Sequence, residues 1–162
     1  MSWSTVVPTP TGPVRVNGVA RIQTVGFGDG QARRTAEAMR QIVAESINHH
    51  EESPDFVRLV CIENIHYARY LKSSESIRSL NVSVIEALAD IVARGRAMGV
   101  FTMPVDIIDL HLLISAVSFY RLGNRHTFGT LFGLDLASDA VRTRQTAMLI
   151  DAVFGVLGYV GA

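Results

Sequence analysis

Apolar residues recur every three or four positions through most of the chain after its first thirty residues, a pattern that predicts amphipathic helices. The first helix is predicted over 31–50, with an apolar stripe made of Ala32, Ala36, Met39, Ile42, Val43 and Ile47. The second is predicted over 54–73, because Ser53 is a favourable N-cap and Pro54 suits the first helical position. A third is predicted over about 75–98.

The fourth predicted helix, from the N-cap Asp106 to about Leu122, is apolar on most of its circumference and must therefore be covered on opposite sides. A short helical piece through Phe132 separates it from the last helix, which starts at Ser138 or Asp139. We expect one side of the fourth helix to pack in the subunit's own core. The other side is expected to pack, with the last helix, against a second copy of the chain. The predicted dimer interface comprises Leu110, Leu113, Ile114, Val117, Met148, Leu149, Ala152, Val153 and Val156.

Residues 1–30 differ from the rest of the chain, because repeated glycines and prolines interrupt any helical pattern. They are predicted to form an irregular, flexible lead-in, with at most a short strand-like piece at Val14–Val16 and no convincing strand pair. The predicted architecture is all-α, a helical bundle of about five to six helices over residues 31–162.

Hydrophobic residues make up 48% of the chain and its mean hydropathy is +0.25, so a subunit interface or an apolar pocket is needed to cover the excess. The net charge is +0 and no basic run occurs, which makes DNA an unlikely partner for this chain alone. The single cysteine, Cys61, excludes an internal disulfide and fits a cytoplasmic location. The longest apolar stretch is too short to cross a membrane.

Two patterns that contain histidine allow interpretation as metal sites. Glu63-x-x-His66 has the spacing used by di-metal helical bundles, but such a site needs a second pair, which the sequence lacks. Glu63 is therefore interpreted as a carboxylate that makes a salt bridge or a hydrogen bond. His49 and His50 point about 100° apart on a helix and are interpreted as a solvated helix terminus. Since no catalytic motif occurs either, we expect no enzyme activity, no cofactor and no metal.

The segment "SFYRLGNRHTFGTLFGLDL", residues 118–136, ends the apolar helix in a polar corner and allows two interpretations. In the first, Arg121 and Arg125 lie near the negative end of the helix dipole. Phe128 and Phe132 then belong to the core. In the second, the wall of a ligand cavity includes Phe119, Tyr120, Asn124 and Phe128. The packing interpretation is favoured for most of these residues.

Three stretches occur in a characteristic order: "SPDFVRLVCIENIHYARYL", "ADIVARGRAMGVFTMPVDIIDLHLLISAVSFYRLGNRHTFGTLFGLDL" and "RTRQTAMLIDAVFGVL". Together they resemble the C-terminal ligand-binding and dimerisation domain of the tetracycline-repressor-like (TetR) family of bacterial transcriptional regulators. The resemblance covers about four-fifths of the chain, from about Gln31 onward. Its more specific points are Phe56 with Leu59, Glu63-Asn64, Arg94-Gly95, Gly99-Val100-Phe101, Asp106, Asn124 and Thr127-Phe128.

This resemblance implies a homodimeric sensor domain that binds a small, mainly apolar effector. In intact relatives, effector binding would shift the separation of two DNA-reading heads. From the resemblance and the facing of the predicted helices, the expected pocket lining is Asn64, Tyr67, Tyr70, Leu88, Ile91, Ser115, Phe119 and Asn124.

The chain departs from the family at its beginning, because residues 1–30 do not show the helix-turn-helix pattern with which family members open. The expectation is therefore the sensing half of a regulator that does not bind DNA alone. As an alternative, the chain could form a heterodimer with a full-length regulator and weaken its DNA binding. Such a heterodimer would carry one DNA-reading head, whereas an operator with two half-sites needs two.

Overall fold

The computed structural model describes residues 14–16, 19–22, 30–73 and 82–161. Its described part contains six α-helices, which confirms the all-α bundle. They are α1 (Gly30–Glu52), α2 (Pro54–Ile65), α3 (Val82–Ala97), α4 (Ile107–Gly123), α5 (Arg125–Phe132) and α6 (Asp139–Leu157). A single 3-10 turn lies at Leu71–Ser73.

The predicted helix starts are confirmed at three places. Ser53 precedes α2 with Pro54 in the first turn, and Ser138 precedes α6. Asp106 caps α4 directly, because its Oδ1 accepts hydrogen bonds from the backbone N–H groups of Ile108 at 2.8 Å and Asp109 at 3.1 Å. A carboxylate at this position satisfies amides that have no partner within the helix and also suits the helix dipole.

The core lies between α1, α3, α4 and α6, each of which contributes fully buried aliphatic side chains. Burial of these side chains removes a large apolar area from water and is the main force that holds the bundle together. The central members are Met39, Ile42, Val43, Ile47, Leu88, Ile91, Leu110, Ile114, Leu149, Val153 and Leu157.

The end of the chain is tied to the connection between α3 and α4. Phe101 and Tyr159 form an isolated antiparallel bridge, and Thr102 Oγ1 donates a 2.7 Å hydrogen bond to the carbonyl of Gly158. Phe101 itself is buried against α3 at Gly95, where there is no side chain to displace its ring. This arrangement anchors the start of α4 beside the end of α6.

A β-hairpin precedes the bundle, which the sequence analysis did not predict. Val14–Val16 pairs antiparallel with Val19–Ile22, and the two strands lie against α3 and α1 respectively. Asn17-Gly18, between two runs of β-branched residues, is the sequence signal that favours such a hairpin. Gly30, the last residue of the predicted flexible lead-in, instead begins α1, and the other residues of the lead-in lie outside the described residues.

Helix α2 is shorter than predicted, since it ends at Ile65 and not near Ser73. The buried carboxylate of Glu63 accepts hydrogen bonds from the backbone N–H groups of Tyr70 and Leu71, both at 3.2 Å. These bonds hold the chain folded back beyond the helix end, and Tyr67 adopts a left-handed φ of 58° there. The interpretation of Glu63 as a hydrogen-bonding carboxylate is thereby confirmed.

Candidate functional site

Aromatic and imidazole rings meet where α1, α2 and α4 pack together; we call this cluster the three-helix junction. Its members are His49 and His50 at the end of α1, Phe56 of α2, and His111, Ser115 and Phe119 of α4. The α4 residues are four apart and share one helix face, so their side chains reach the same space. The His50 ring lies 5.9 Å from Phe119, edge to face, and 6.2 Å from Phe56, nearly parallel. The junction therefore combines the apolar faces of aromatic rings with imidazole nitrogens that can form hydrogen bonds.

Two imidazoles of the junction are fixed by hydrogen bonds within their own helices. His50 Nδ1 lies 2.8 Å from the carbonyl oxygen of Ser46, and His111 Nε2 lies 3.3 Å from Ser115 Oγ. The Nδ1 atom of His111 is buried and has no hydrogen-bond partner within the described part of the chain. An unpaired buried polar atom is costly, which makes this nitrogen the clearest chemical feature of the junction.

Partial burial lowers the pKa of His50 and of His111 below the ordinary value of 6.5, because the charged ring loses hydration. For His50, the hydrogen bond to Ser46 opposes this effect, whereas the nearby His49 and His111 add to it. Burial also lowers the pKa of His49, with Glu52 acting in the opposite direction. All three rings are therefore neutral at neutral pH.

These lowered pKa values predict acid sensitivity. The unfolded chain takes up protons on these histidines near pH 6.5, whereas the folded chain does so only at lower pH. The folded chain is therefore most stable above about pH 6.5, where these histidines are neutral in both states. Its free energy of unfolding decreases as the pH falls below that value, because the unfolded chain binds the protons more readily. Urea unfolding at about pH 7.5 and about pH 5.5 measures the change. His111→Phe should reduce the difference in the free energy of unfolding between these two pH values. His126→Phe, at an exposed position, provides the control. An equal difference in both variants would contradict the assignment.

The structure brings two of the predicted pocket residues together at the junction, Ser115 and Phe119. The others lie elsewhere. Leu88 and Ile91 are buried in the core. Asn124 caps the end of α4 through its backbone N–H. The side chains of Asn64, Tyr67 and Tyr70 are exposed.

No sequence pattern indicated His49, His50, Phe56 or His111 as members of the candidate site. The interpretation of His49 and His50 as a solvated helix terminus is wrong, since both rings are half-buried against α2. The available signal was His111, a polar interruption of the most apolar helix, with serine one turn later. Phe132, placed in the core by the packing interpretation, is instead 67% exposed.

The predicted dimer residues fall into two groups. Four of them, Leu110, Ile114, Leu149 and Val153, are at most 1% exposed within the subunit's own core. They cannot contact a second copy, because a helix that is apolar all round does not reveal which side faces inward. The remaining positions lie at the edge of the core or outside it: Leu113, Val117, Met148, Ala152 and Val156.

An apolar surface covers the outward sides of α4 and α6, which pack beside each other. We call it the α4–α6 face. On α4 it contains Ile108, Leu112 and Tyr120, and Leu112 is 63% exposed. On α6 it continues with Met148 and Val156.

Arg121 is buried at 4% exposure and joins four parts of the fold. Its guanidinium donates to Glu51 Oε1 of α1 at 2.9 Å, to Gln145 Oε1 of α6 at 2.6 Å, and to the carbonyl of Leu136 at 2.8 Å. Arg142 donates to the other oxygen of Glu51 at 2.8 Å. The sequence interpretation of Arg121 as a helix-dipole partner missed this network.

A shallow groove of about 510 Å³ lies along α5 and the turn that follows it. Arg125, His126, Thr130 and Asp135 line it, and all four are exposed to solvent. In contrast to the junction, the groove has no buried polar atom without a partner among the described residues. It is the weaker of the two candidates.

The described residues contain no group of three or more His, Cys, Asp or Glu side chains placed to hold a metal ion. Across the same residues, no helix is long and apolar enough to span a membrane.

Comparison with known proteins gives the family. The model of the "Tetracyclin repressor-like, C-terminal domain" matches residues 36–153. The HTH-type transcriptional repressor NicS of Pseudomonas putida (strain KT2440) is 26% identical over 115 residues, covering 71% of this chain and 54% of the repressor. The chain thus spans about half the length of this curated relative. The match confirms the resemblance, and the chain belongs to the tetracyclin repressor-like C-terminal domain family.

Proposed function

We propose that residues 31–162 form the effector-sensing and dimerisation domain of a TetR-like transcriptional regulator. The three-helix junction carries the sensing part of this proposal. It combines the buried, unpartnered Nδ1 of His111 with the His50 ring, which packs on Phe56 and Phe119, on a scaffold that belongs to a regulator family. Few polar groups in an apolar setting are typical of sites that orient small molecules.

A fluorescent ligand tests the sensing part. The neutral, apolar fluorophore prodan should bind saturably, with one molecule per chain, because the junction offers apolar rings and hydrogen-bonding nitrogen. Ser115→Leu, which adds bulk beside His111, should weaken prodan binding about tenfold, as expected for a steric cost of roughly 1.4 kcal/mol. Thr130→Leu on the exposed side of α5 is the matched control. Unchanged affinity in Ser115→Leu, with the fold intact by circular dichroism, would contradict the location of the site.

The α4–α6 face supports the dimerisation part of the proposal. Exposed apolar side chains on two helices that pack beside each other are typical of an interaction site, and a two-fold symmetric pair would place the same face of both copies in contact. Of the predicted interface residues, we keep Leu113, Val117, Met148, Ala152 and Val156 in the proposed contact region, and we add the exposed Ile108, Leu112 and Tyr120.

A charge on this face should separate the subunits. Leu112→Arg places one unpaired cation from each copy in the interface, which should weaken dimerisation by about two orders of magnitude. Leu59→Arg on the exposed side of α2 is the matched control and should leave the dimer intact. Size-exclusion chromatography with light scattering gives the result for both variants. Equal dimerisation of both would place the interface elsewhere.

We further propose that residues 1–162 by themselves do not bind operator DNA and that a DNA-directed role needs a DNA-reading unit outside them. The lack of a helix-turn-helix pattern in residues 1–30 and the net charge of +0 support this.

The alternative function, heterodimerisation with a full-length regulator, would use the same α4–α6 face. Co-expression with a tagged regulator and co-purification tests it, and Leu112→Arg should abolish the association. A gel shift with sequence-specific DNA binding by this chain alone would contradict both statements.

A further inference from the structure

The hydrogen-bond partners of His111 determine which of its nitrogens carries the proton. Ser115 Oγ lies 3.3 Å from His111 Nε2, and either atom can donate in this contact, depending on the tautomer of the imidazole. If the hydroxyl donates to Nε2, a neutral imidazole must carry its hydrogen on Nδ1. The buried, unpartnered Nδ1 of His111 is then a hydrogen-bond donor without an acceptor.

His50 has the complementary character. The carbonyl oxygen of Ser46 can only accept, so His50 Nδ1 must donate the 2.8 Å hydrogen bond to it. The Nε2 atom of the neutral His50 ring therefore has a free lone pair. With this tautomer of His111, the junction offers one donor from α4 and one acceptor from α1.

The charges around these two rings disfavour an ionic ligand. The ionisable groups that act on His50 are His49 of α1 and His111 of α4, while burial is the influence on His111. From α2 the residue that faces His50 is the uncharged Phe56, and the nearest carboxylate influence is that of Glu52 on His49. The rings packed around His50 are those of His49, Phe56 and Phe119, none of which is cationic when His49 is neutral, so a buried anion would find no counter-charge among them.

We propose that the three-helix junction binds a small, uncharged, planar molecule of the carboxamide or lactam class. Its carbonyl oxygen accepts a hydrogen bond from His111 Nδ1, its N–H donates to His50 Nε2, and its plane packs beside Phe56 and Phe119. This rests on the proposed sensing function and adds the chemical class of the effector to it. A purely apolar effector would leave the His111 donor unpaired.

The proton positions can be measured without any ligand. Long-range ¹H–¹⁵N spectra of the full chain at neutral pH distinguish a protonated from an unprotonated imidazole nitrogen. We expect Nδ1 to be protonated in both His50 and His111. A proton on Nε2 of His111 would overturn this inference while leaving the proposed sensing function in place.

Three probes of similar size test the ligand class: benzamide, benzoate and toluene. Benzamide should bind most tightly and shift the His111 nitrogen signals, with an affinity that is constant between about pH 7 and 8 because all groups stay neutral. His111→Phe keeps a planar ring but removes the donor, and should weaken benzamide about five- to tenfold, the value of one neutral hydrogen bond. His126→Phe is the control on an exposed surface and should bind benzamide as the parent does.

The outcomes separate the inference from the function on which it rests. If toluene binds as tightly as benzamide, or benzoate binds more tightly than benzamide, the ligand class is wrong although the site remains. Equal benzamide affinity in His111→Phe and the parent also overturns the class. If none of the three probes changes the His50 and His111 signals, the junction is not a ligand site, and the sensing part of the proposed function fails with it.

Discussion

Replacement of Arg121 by leucine should lower the free energy of unfolding by about 3 kcal/mol, within the range found when one partner of a buried ion pair is removed. Leucine leaves the carbonyl of Leu136 and the amide oxygen of Gln145 without their donor, and Glu51 loses one of two arginines. The loss stays at the lower end of that range because Glu51 keeps its 2.8 Å contact with Arg142. Urea unfolding at a fixed protein concentration measures the change.

Two further variants define the origin of the Arg121 effect. Arg121→Lys retains the charge, but its three N–H donors share one nitrogen and cannot reproduce the spread of the three guanidinium nitrogens over Gln145, Glu51 and Leu136, so it should lose about half as much stability. Arg144→Leu removes an exposed arginine on the same α6 helix that receives Arg121, and should change stability by no more than about 0.5 kcal/mol. If Arg121→Leu were as stable as Arg144→Leu, the network would not contribute to folding.

Gly95→Ala should also destabilise the fold, although alanine ordinarily favours a helix over glycine by about 1 kcal/mol. Gly95 is buried inside α3, and a methyl group there would overlap the ring of Phe101. That ring cannot retreat easily, since it packs edge to face on Phe154 at 6.1 Å and belongs to the bridge with Tyr159. We expect a net loss of about 2 kcal/mol, in the range of overpacked cores.

Gly155→Ala is the matched control, because Gly155 lies within α6 and an added methyl group would contact nothing within 4 Å in the subunit. It should be neutral or stabilising by up to about 1 kcal/mol. In the double variant Gly95→Ala with Phe101→Leu, the smaller side chain should recover part of the loss. Equal unfolding curves for Gly95→Ala and Gly155→Ala would refute the steric argument.

The helices could be predicted because their signals are local. Apolar spacing at three and four residues places α1, and the N-cap residues Ser53, Asp106 and Ser138 give the starts of α2, α4 and α6. The inward side of α4 could not be predicted from a helix that is apolar all round. Leu110 and Leu112 look alike in sequence, yet one is in the core and the other is outside.

The parts of the site that were missed depend on contacts between distant residues. Arg121 is separated by 70 residues from Glu51 and by 24 from Gln145, so no local pattern links them. His50 is half-buried only because α2 and α4 pack over the end of α1. Ser115 and Phe119 lie together at the junction because they share a helix face, whereas Tyr67 and Tyr70 lie beyond the end of α2 at Ile65.

Sedimentation equilibrium of the full chain tests the central claim, that α4 and α6 pack into the subunit's own core on one side and against a second copy on the other. We predict a particle of twice the 17.7 kDa chain mass, which Leu112→Arg reduces to the mass of one chain. A well-behaved 17.7 kDa monomer at high protein concentration, with the α4–α6 face open to water, would contradict the account.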